Sequence, residues 1–181
     1  MKTINLYTDG GCANNQSTNN IGGWGSILEY KQHKKELYGG AVNTTNNIME
    51  LTAVIEGLKA ITDVDFIVNV FSDSAYVVNC FRQEWYKKWM TNNWKNSKKE
   101  PVENKELWVE LIDLVEKFEK VTFFKVKGHI NITKTSELNK WFKKFKDVHK
   151  LPEFEKDDYI YLTTMNNRAD ELANMGIDER R

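Results

Sequence analysis

The run Phe66-Ile67-Val68-Asn69-Val70-Phe71 is almost unbroken in its apolar character, and it stops at Ser72-Asp73. An apolar strand of this kind is buried on both faces, which calls for a sheet that is at least partly parallel and covered by helices. It also leaves a carboxylate, Asp73, at the strand's end. Thr3 to Thr8 alternates Ile4 and Leu6 with polar residues and then meets Asp9-Gly10-Gly11, which predicts a second strand ending in a flexible turn at Asp9. Two strands that are parallel neighbours would present Asp9 and Asp73 at one sheet edge, where open α/β sheets bind their ligands.

The remaining periodicities fill in the layers. Gly22 to Tyr30 and Glu36 to Val42, joined by Lys31-Gln32-His33-Lys34-Lys35, are expected to pair antiparallel with the first strand as a meander. Leu51, Val54, Ile55, Leu58 and Ile61 recur at helical spacing over Ile48 to Ile61, with Asn46 or Asn47 as N-cap and Glu50 in the first turn. A short helix after Asp73, an amphipathic helix from Val102 to Phe118, a strand from Val121 to Lys127 and a closing helix over Asn167 to Met175 complete the pattern. The class is α/β: a five-stranded mixed sheet flanked by helices.

A chain of 181 residues with 40% hydrophobic and 29% charged residues is long enough for one compact domain, and disordered or fibrous classes are excluded. Lys and Arg number 26, as do Asp and Glu, so affinity for a polyanion has to come from the placement of charge. Cys12 and Cys80 form neither a CxxC pair nor a disulfide framework, which fits a reducing compartment. No signal-peptide core and no membrane-length apolar run is present, so a cytoplasmic, non-membrane protein is expected.

Asp9, Glu50, Asp73 and Asp170 are candidates for one carboxylate cluster. A cluster of this sort either keeps protons through raised pKa values or binds a hard cation held by oxygen, of which Mg²⁺ is the usual choice. Taken singly, a strand-terminal Asp is as often a turn former or a helix cap.

The wording of five ordered motifs carries more. Tyr7-Thr8-Asp9-Gly10-Gly11-Cys12, Thr44-Thr45-Asn46-Asn47-Ile48-Met49-Glu50-Leu51, Ser72-Asp73-Ser74-Ala75-Tyr76-Val77, Lys127-Gly128-His129 and Asn166-Asn167-Arg168-Ala169-Asp170-Glu171-Leu172-Ala173 resemble the type 1 ribonuclease H family. The resemblance implies a ribonuclease H-like fold and an endonuclease that hydrolyses the RNA strand of RNA/DNA hybrids, leaving 5′-phosphate and 3′-hydroxyl ends. Asp9, Glu50, Asp73 and Asp170 match the family's metal-binding carboxylates. Two Mg²⁺ ions about 3.5–4 Å apart, with Mn²⁺ as an alternative ion, would activate water and stabilise the leaving oxygen. His129 matches the family's mobile histidine, whose unperturbed pKa of about 6.5 suits proton movement or product release.

By the same resemblance Asn15, Asn46 and Asn47 match residues that sense 2′-hydroxyls in the hybrid's shallow minor groove. Thr45 and Asn104 match members of a pocket for a DNA phosphate, although Asn43 stands where many members carry arginine. Ile48 and Ala75 also replace polar residues. Asn and Thr clusters equally form caps and turns. The Trp/Lys-rich stretch 84–100, with Lys87, Lys88, Trp89 and Lys95, resembles the family's basic protrusion, in which lysines neutralise phosphates. Trp85 and Trp89, at i,i+4 spacing, also suit packing.

The stretch 130–165 departs from the family, which has only a brief loop there. Leu138, Trp141, Phe142, Phe145 and Val148 fall on one helical face and Lys140, Lys143, Lys144 and Lys146 elsewhere, with Ser136 as cap and Pro152 past the end. Tyr159 to Leu162 reads as a short strand or a packing segment. The lysines either face water or add contacts to the hybrid. The whole chain is expected to be one monomeric catalytic domain. Two rivals are a catalytically silent hybrid-binding module and a related nuclease acting on duplex DNA.

Overall fold

A computed structural model describes residues 2–13 and 19–181. Its five strands are β1 (Thr3–Ala13), β2 (Ile21–Tyr30), β3 (His33–Val42), β4 (Ile67–Ser72) and β5 (Lys120–Lys125), in spatial order β3-β2-β1-β4-β5. β1 to β3 form the antiparallel meander, while β4 is parallel to both β1 and β5.

Side chains alternate across the sheet, so each strand feeds two layers. On one face Leu6, Val68 and Val70 pack under α1 (Asn46–Lys59), α2 (Ala75–Arg82) and α4 (Lys105–Glu116), with Trp108 fully buried. The short α3 (Trp85–Thr91) leans on this layer through partly buried Trp85 and Trp89. On the other face Tyr7 and Ile27 meet α5 (Thr135–Val148) and α6 (Lys156–Asp178). Phe71 stacks there between Tyr7 and Phe124, with ring centroids 5.2 and 5.0 Å away.

Several expectations are corrected. β1 does not turn at Asp9-Gly10-Gly11 but continues to Ala13, with Gly10 opposite Trp24 and Gly11 opposite Gly23. Gly10 serves close approach: a Cβ there would lie 2.4 Å from the Met49 backbone carbon, so its absence lets α1 settle on the strand. What ends near Asp9 is the parallel pairing with β4, whose last partners are Thr8 and Ser72. The N-cap of α1 is Thr45, whose Oγ1 accepts the Ile48 N–H at 3.1 Å, in place of Asn46 or Asn47. Glu50 therefore sits in the second turn. The β2–β3 connection shrinks to Lys31-Gln32, with Lys31 left-handed at φ 56°, and His33 already pairs with Tyr30.

The largest correction lies at the C-terminal end. The closing helix begins at Lys156 and takes in Tyr159 to Leu162, so that segment is not a strand but a packing segment of the helix, with Tyr159 and Leu162 buried. A capping box starts it: Glu155 N–H donates to Asp158 Oδ2 at 3.0 Å and the Glu155 carboxylate accepts from the Asp158 backbone. In α5 the cap position is Lys134 without a side-chain cap, Ser136 lies inside the helix, and Val148 is exposed. Leu138 and Phe145 carry its burial instead. No helix among the described residues is long and apolar enough to cross a membrane.

Candidate active site

Asp9 occupies β1 where the β4 pairing stops, and Asp73 follows β4 directly, so parallel register brings both to one edge. Asp73 is held between the strand and α2, which Ser74 caps by accepting the Val77 N–H at 3.2 Å. Glu50 reaches the same edge because α1 lies against Gly10. Carboxylate oxygens of Asp9, Glu50 and Asp73 lie within 4.8 Å of one another. Asp170, from α6, faces the same cleft close enough to Asp9 to act on its carboxyl. All four line a cleft of about 410 Å³ together with His129 and Asn46.

The electrostatics follow from this crowding. Burial raises the Asp9 carboxyl to about 9, reinforced by the charge of Asp73 and by contact with Asp170, while the Gly10 N–H at 2.9 Å works against the shift. Glu50 is raised for the same reasons: burial first, then the charges of Asp9 and Asp73. Its Oε1 is buried with no hydrogen-bond partner. Oxygen donors converging on one point, one of them unsatisfied, fit a hard divalent cation. The acidic cluster can hold such an ion.

His129 is exposed at the mouth of the cleft, with its backbone left-handed at φ 58°. That conformation is uncommon for a side-chain-bearing residue, and such outliers gather at functional sites. Gly128 permits the loop to press on the cluster, since a Cβ there would meet Asp73 Oδ2 at 2.6 Å.

The other expected residues are dispersed. Asn46 lines the cleft, and its Oδ1 accepts the Cys12 N–H at 2.8 Å, while Asn47 is half-buried in the first turn of α1. Thr45 is engaged as a cap, and Asn104 donates to the Tyr76 hydroxyl at 3.1 Å. Lys87, Lys88 and Lys95 are exposed, with Lys87 3.0 Å from Glu84. Trp89 is half-buried edge-on against Trp108 at 5.5 Å. Asn15 lies outside the described residues. Cys12 and Asn174 line the cleft without having been singled out; the readable signal for Asn174 was its i,i+4 relation to Asp170.

α6 is aligned on the sheet by Arg168, which donates Nε and Nη2 to the Glu36 carboxylate of β3 at 2.6 and 2.9 Å. The fold and the carboxylate cleft define an α/β protein whose acidic cluster at a sheet edge could hold a metal ion. The sequence pattern of the RNase H family matches residues 1–141. A Ribonuclease H of Clostridium botulinum is 41% identical over 179 residues, covering 99% of this chain and 98% of that protein. A Ribonuclease H of Caldicellulosiruptor saccharolyticus is 52% identical over 129 residues, covering 71% and 86%.

Among solved structures, LC9-RNase H1, a type 1 RNase H with the type 2 active-site motif, superposes with a TM-score of 0.73 at 22% identity, covering all of this chain and 74% of the other. LC11-RNase H1 in complex with RNA/DNA hybrid gives 0.59 at 21%, covering 98% and 99%. The chain belongs to the RNase H family. The family match stops at residue 141, before Asp170, whereas the alignment with the C. botulinum protein spans nearly the whole chain.

Proposed function

We propose that this chain is an endonuclease that hydrolyses the RNA strand of RNA/DNA hybrids, acting as a single monomeric catalytic unit in the cytoplasm with two Mg²⁺ ions. The carrying observation is the convergence of Asp9, Glu50 and Asp73 within 4.8 Å, joined by Asp170 and including an unpartnered buried oxygen on Glu50. The family membership and the hybrid-bound relative support the substrate. These carboxylates would hold Mg²⁺ or Mn²⁺, which would lower the pKa of a bound water and neutralise charge developing on the leaving oxygen.

The chain's own groups do the rest. Asp9, Glu50, Asp73 and Asp170 present their carboxylate oxygens as ligands. His129, exposed on its strained loop, moves a proton at its imidazole or eases departure of the 5′-phosphate end. Asn46 and Asn47 at the start of α1, with Asn15, read 2′-hydroxyls, and Thr45 and Asn104 flank a DNA phosphate. Lys87, Lys88 and Lys95 meet phosphates further along, and Trp89 stiffens their platform.

The test is an incubation with labelled hybrid, duplex RNA and duplex DNA, each with Mg²⁺ and with EDTA. Cutting of the hybrid's RNA strand alone, and only with Mg²⁺, is expected. Comparable cutting of duplex DNA, or cutting that survives EDTA, overturns the reading.

A further inference from the structure

The segment between His129 and Asp170 places a second basic surface beside the acidic cleft. Around the Trp141 ring of α5 stand three ammoniums: Lys127 Nζ at 5.1 Å, Lys140 Nζ at 4.9 Å and Lys144 Nζ at 5.1 Å from the centroid. An indole face attracts one cation, but three like charges gathered at one ring repel each other. None of the three has an ion pair with a carboxylate among the described residues. A hollow of about 170 Å³ opens at this point between β5 and α5, lined by Lys125, Lys127, Trp141, Lys144, His149 and Tyr159 and by no acidic residue. The arrangement is short of one anion.

The hollow adjoins the catalytic edge. Lys125 pairs with Ser72, the residue before Asp73. Lys127 lines the hollow while His129, two residues on, lines the carboxylate cleft, so one loop serves both. α5 packs on the sheet face that carries Tyr7, and α3 on the face that carries Leu6 and Trp108. Its lysines therefore flank the cleft from the side opposite Lys87, Lys88 and Lys95. A polyanion crossing the sheet edge meets cations on both sides.

We propose that Lys125, Lys127, Lys140 and Lys144 around Trp141 form a subsite for a backbone phosphate of the bound RNA/DNA hybrid, next to the position of cleavage. This rests on the function proposed above. The chemistry recognised is a phosphodiester oxygen pair: Lys125, Lys127 and Lys144 line one small hollow, Lys140 stands at the same ring, and the Trp141 face is already occupied by cations, so it offers no platform for a base. The lysines of the 130–165 segment thus serve contact with substrate, and the apolar face of α5 exists to carry them to it.

The test uses the full chain with Lys140→Ala and Lys144→Ala together; both residues are exposed and outside the cleft. Lys140→Arg with Lys144→Arg keeps the charge as control. Equilibrium binding of labelled hybrid is measured in EDTA over a range of salt concentrations. Loss of one phosphate contact should weaken binding severalfold and lower the slope of log K against log salt by about 0.9, with the arginine variant keeping the slope.

An alanine variant with an unaltered slope, while Lys87→Ala, Lys88→Ala and Lys95→Ala together reduce it, overturns the subsite alone. A wild type that binds no hybrid overturns the proposed function as well. Inorganic phosphate that changes Trp141 emission, read against Trp141→Phe, with the hybrid slope unmoved marks a free-anion site and also overturns the proposal.

Discussion

His149 is held as a neutral imidazole. Its Nε2 accepts the Lys125 N–H at 3.1 Å, its ring packs on Phe124 and Phe145, and burial, helped by the charge of Arg82, lowers its pKa to about 4. A folded-state pKa below the ordinary 6.5 means that folding favours the uncharged form, so this contribution to stability is complete above pH 6.5 and is lost as pH falls toward about 4. His149→Gln should therefore lose less stability across that window than the wild type does in chemical denaturation; equal losses would contradict the assignment. Nothing local in the sequence marks this histidine, because its neutrality comes from rings on β5 and α5. The carboxylates differ. Asp73 was readable from a strand ending, while Asp9, in a strand that runs on to Ala13, and Asp170, inside α6, came from motif wording, and the turn occupied by Glu50 was misplaced because the cap proved to be Thr45.

α6 lies so close to the meander that side-chain-free positions are obligatory where they touch. A Cβ on Gly176 would lie 1.9 Å from Gly39 O, and one on Gly23 would lie 1.9 Å from Ala173 O. In an unconstrained helix Gly→Ala stabilises by about 1 kcal/mol. Gly176→Ala should do the reverse, destabilising by about 1–3 kcal/mol or more, since backbone rather than a flexible side chain is in the way. Because Asp170 is on the same helix, kcat should fall further than KM changes; urea denaturation and steady-state kinetics read the two effects. A stabilised variant with normal kcat would show that α6 has slack. The length of α6 was not legible in the sequence. Tyr159-Ile160-Tyr161-Leu162 is short, aromatic and β-branched in part, and a run of that kind reads equally as strand or helix until its partners are known. Tyr159 and Leu162 became buried helix positions through packing against Phe142 and Phe145 in α5 and the sheet beneath.

Equal numbers of cationic and anionic residues conceal strong segregation of charge: carboxylates converge at one sheet edge and lysines stand on both sides of it. Without a cation, burial first and the neighbouring carboxylates second hold Asp9 and Glu50 above the usual carboxylate range, a cost that a bound cation offsets. Mg²⁺ added to metal-free protein should raise Tm, with a gain of about 2.7 kcal/mol when the ion is at a hundred times its Kd. Asp9→Asn, which removes the cost of keeping a buried carboxyl protonated, should be more stable than the wild type in EDTA, gain little from Mg²⁺ and cleave no hybrid. Calorimetry showing the same Tm with and without Mg²⁺ would count against a metal centre here. The grouping of the four acids was an expectation carried by the family resemblance, while the α/β class, the strand order through the meander and the first helix were present in the linear chain, since periodicity is a property of near neighbours. The contact of Asp170 with Asp9, the use of Gly10 and Gly176 for close approach, the continuous α6 and the lysine-lined hollow were not. Each depends on the distance in space between residues far apart in sequence, a quantity set by how the helices settle on the sheet.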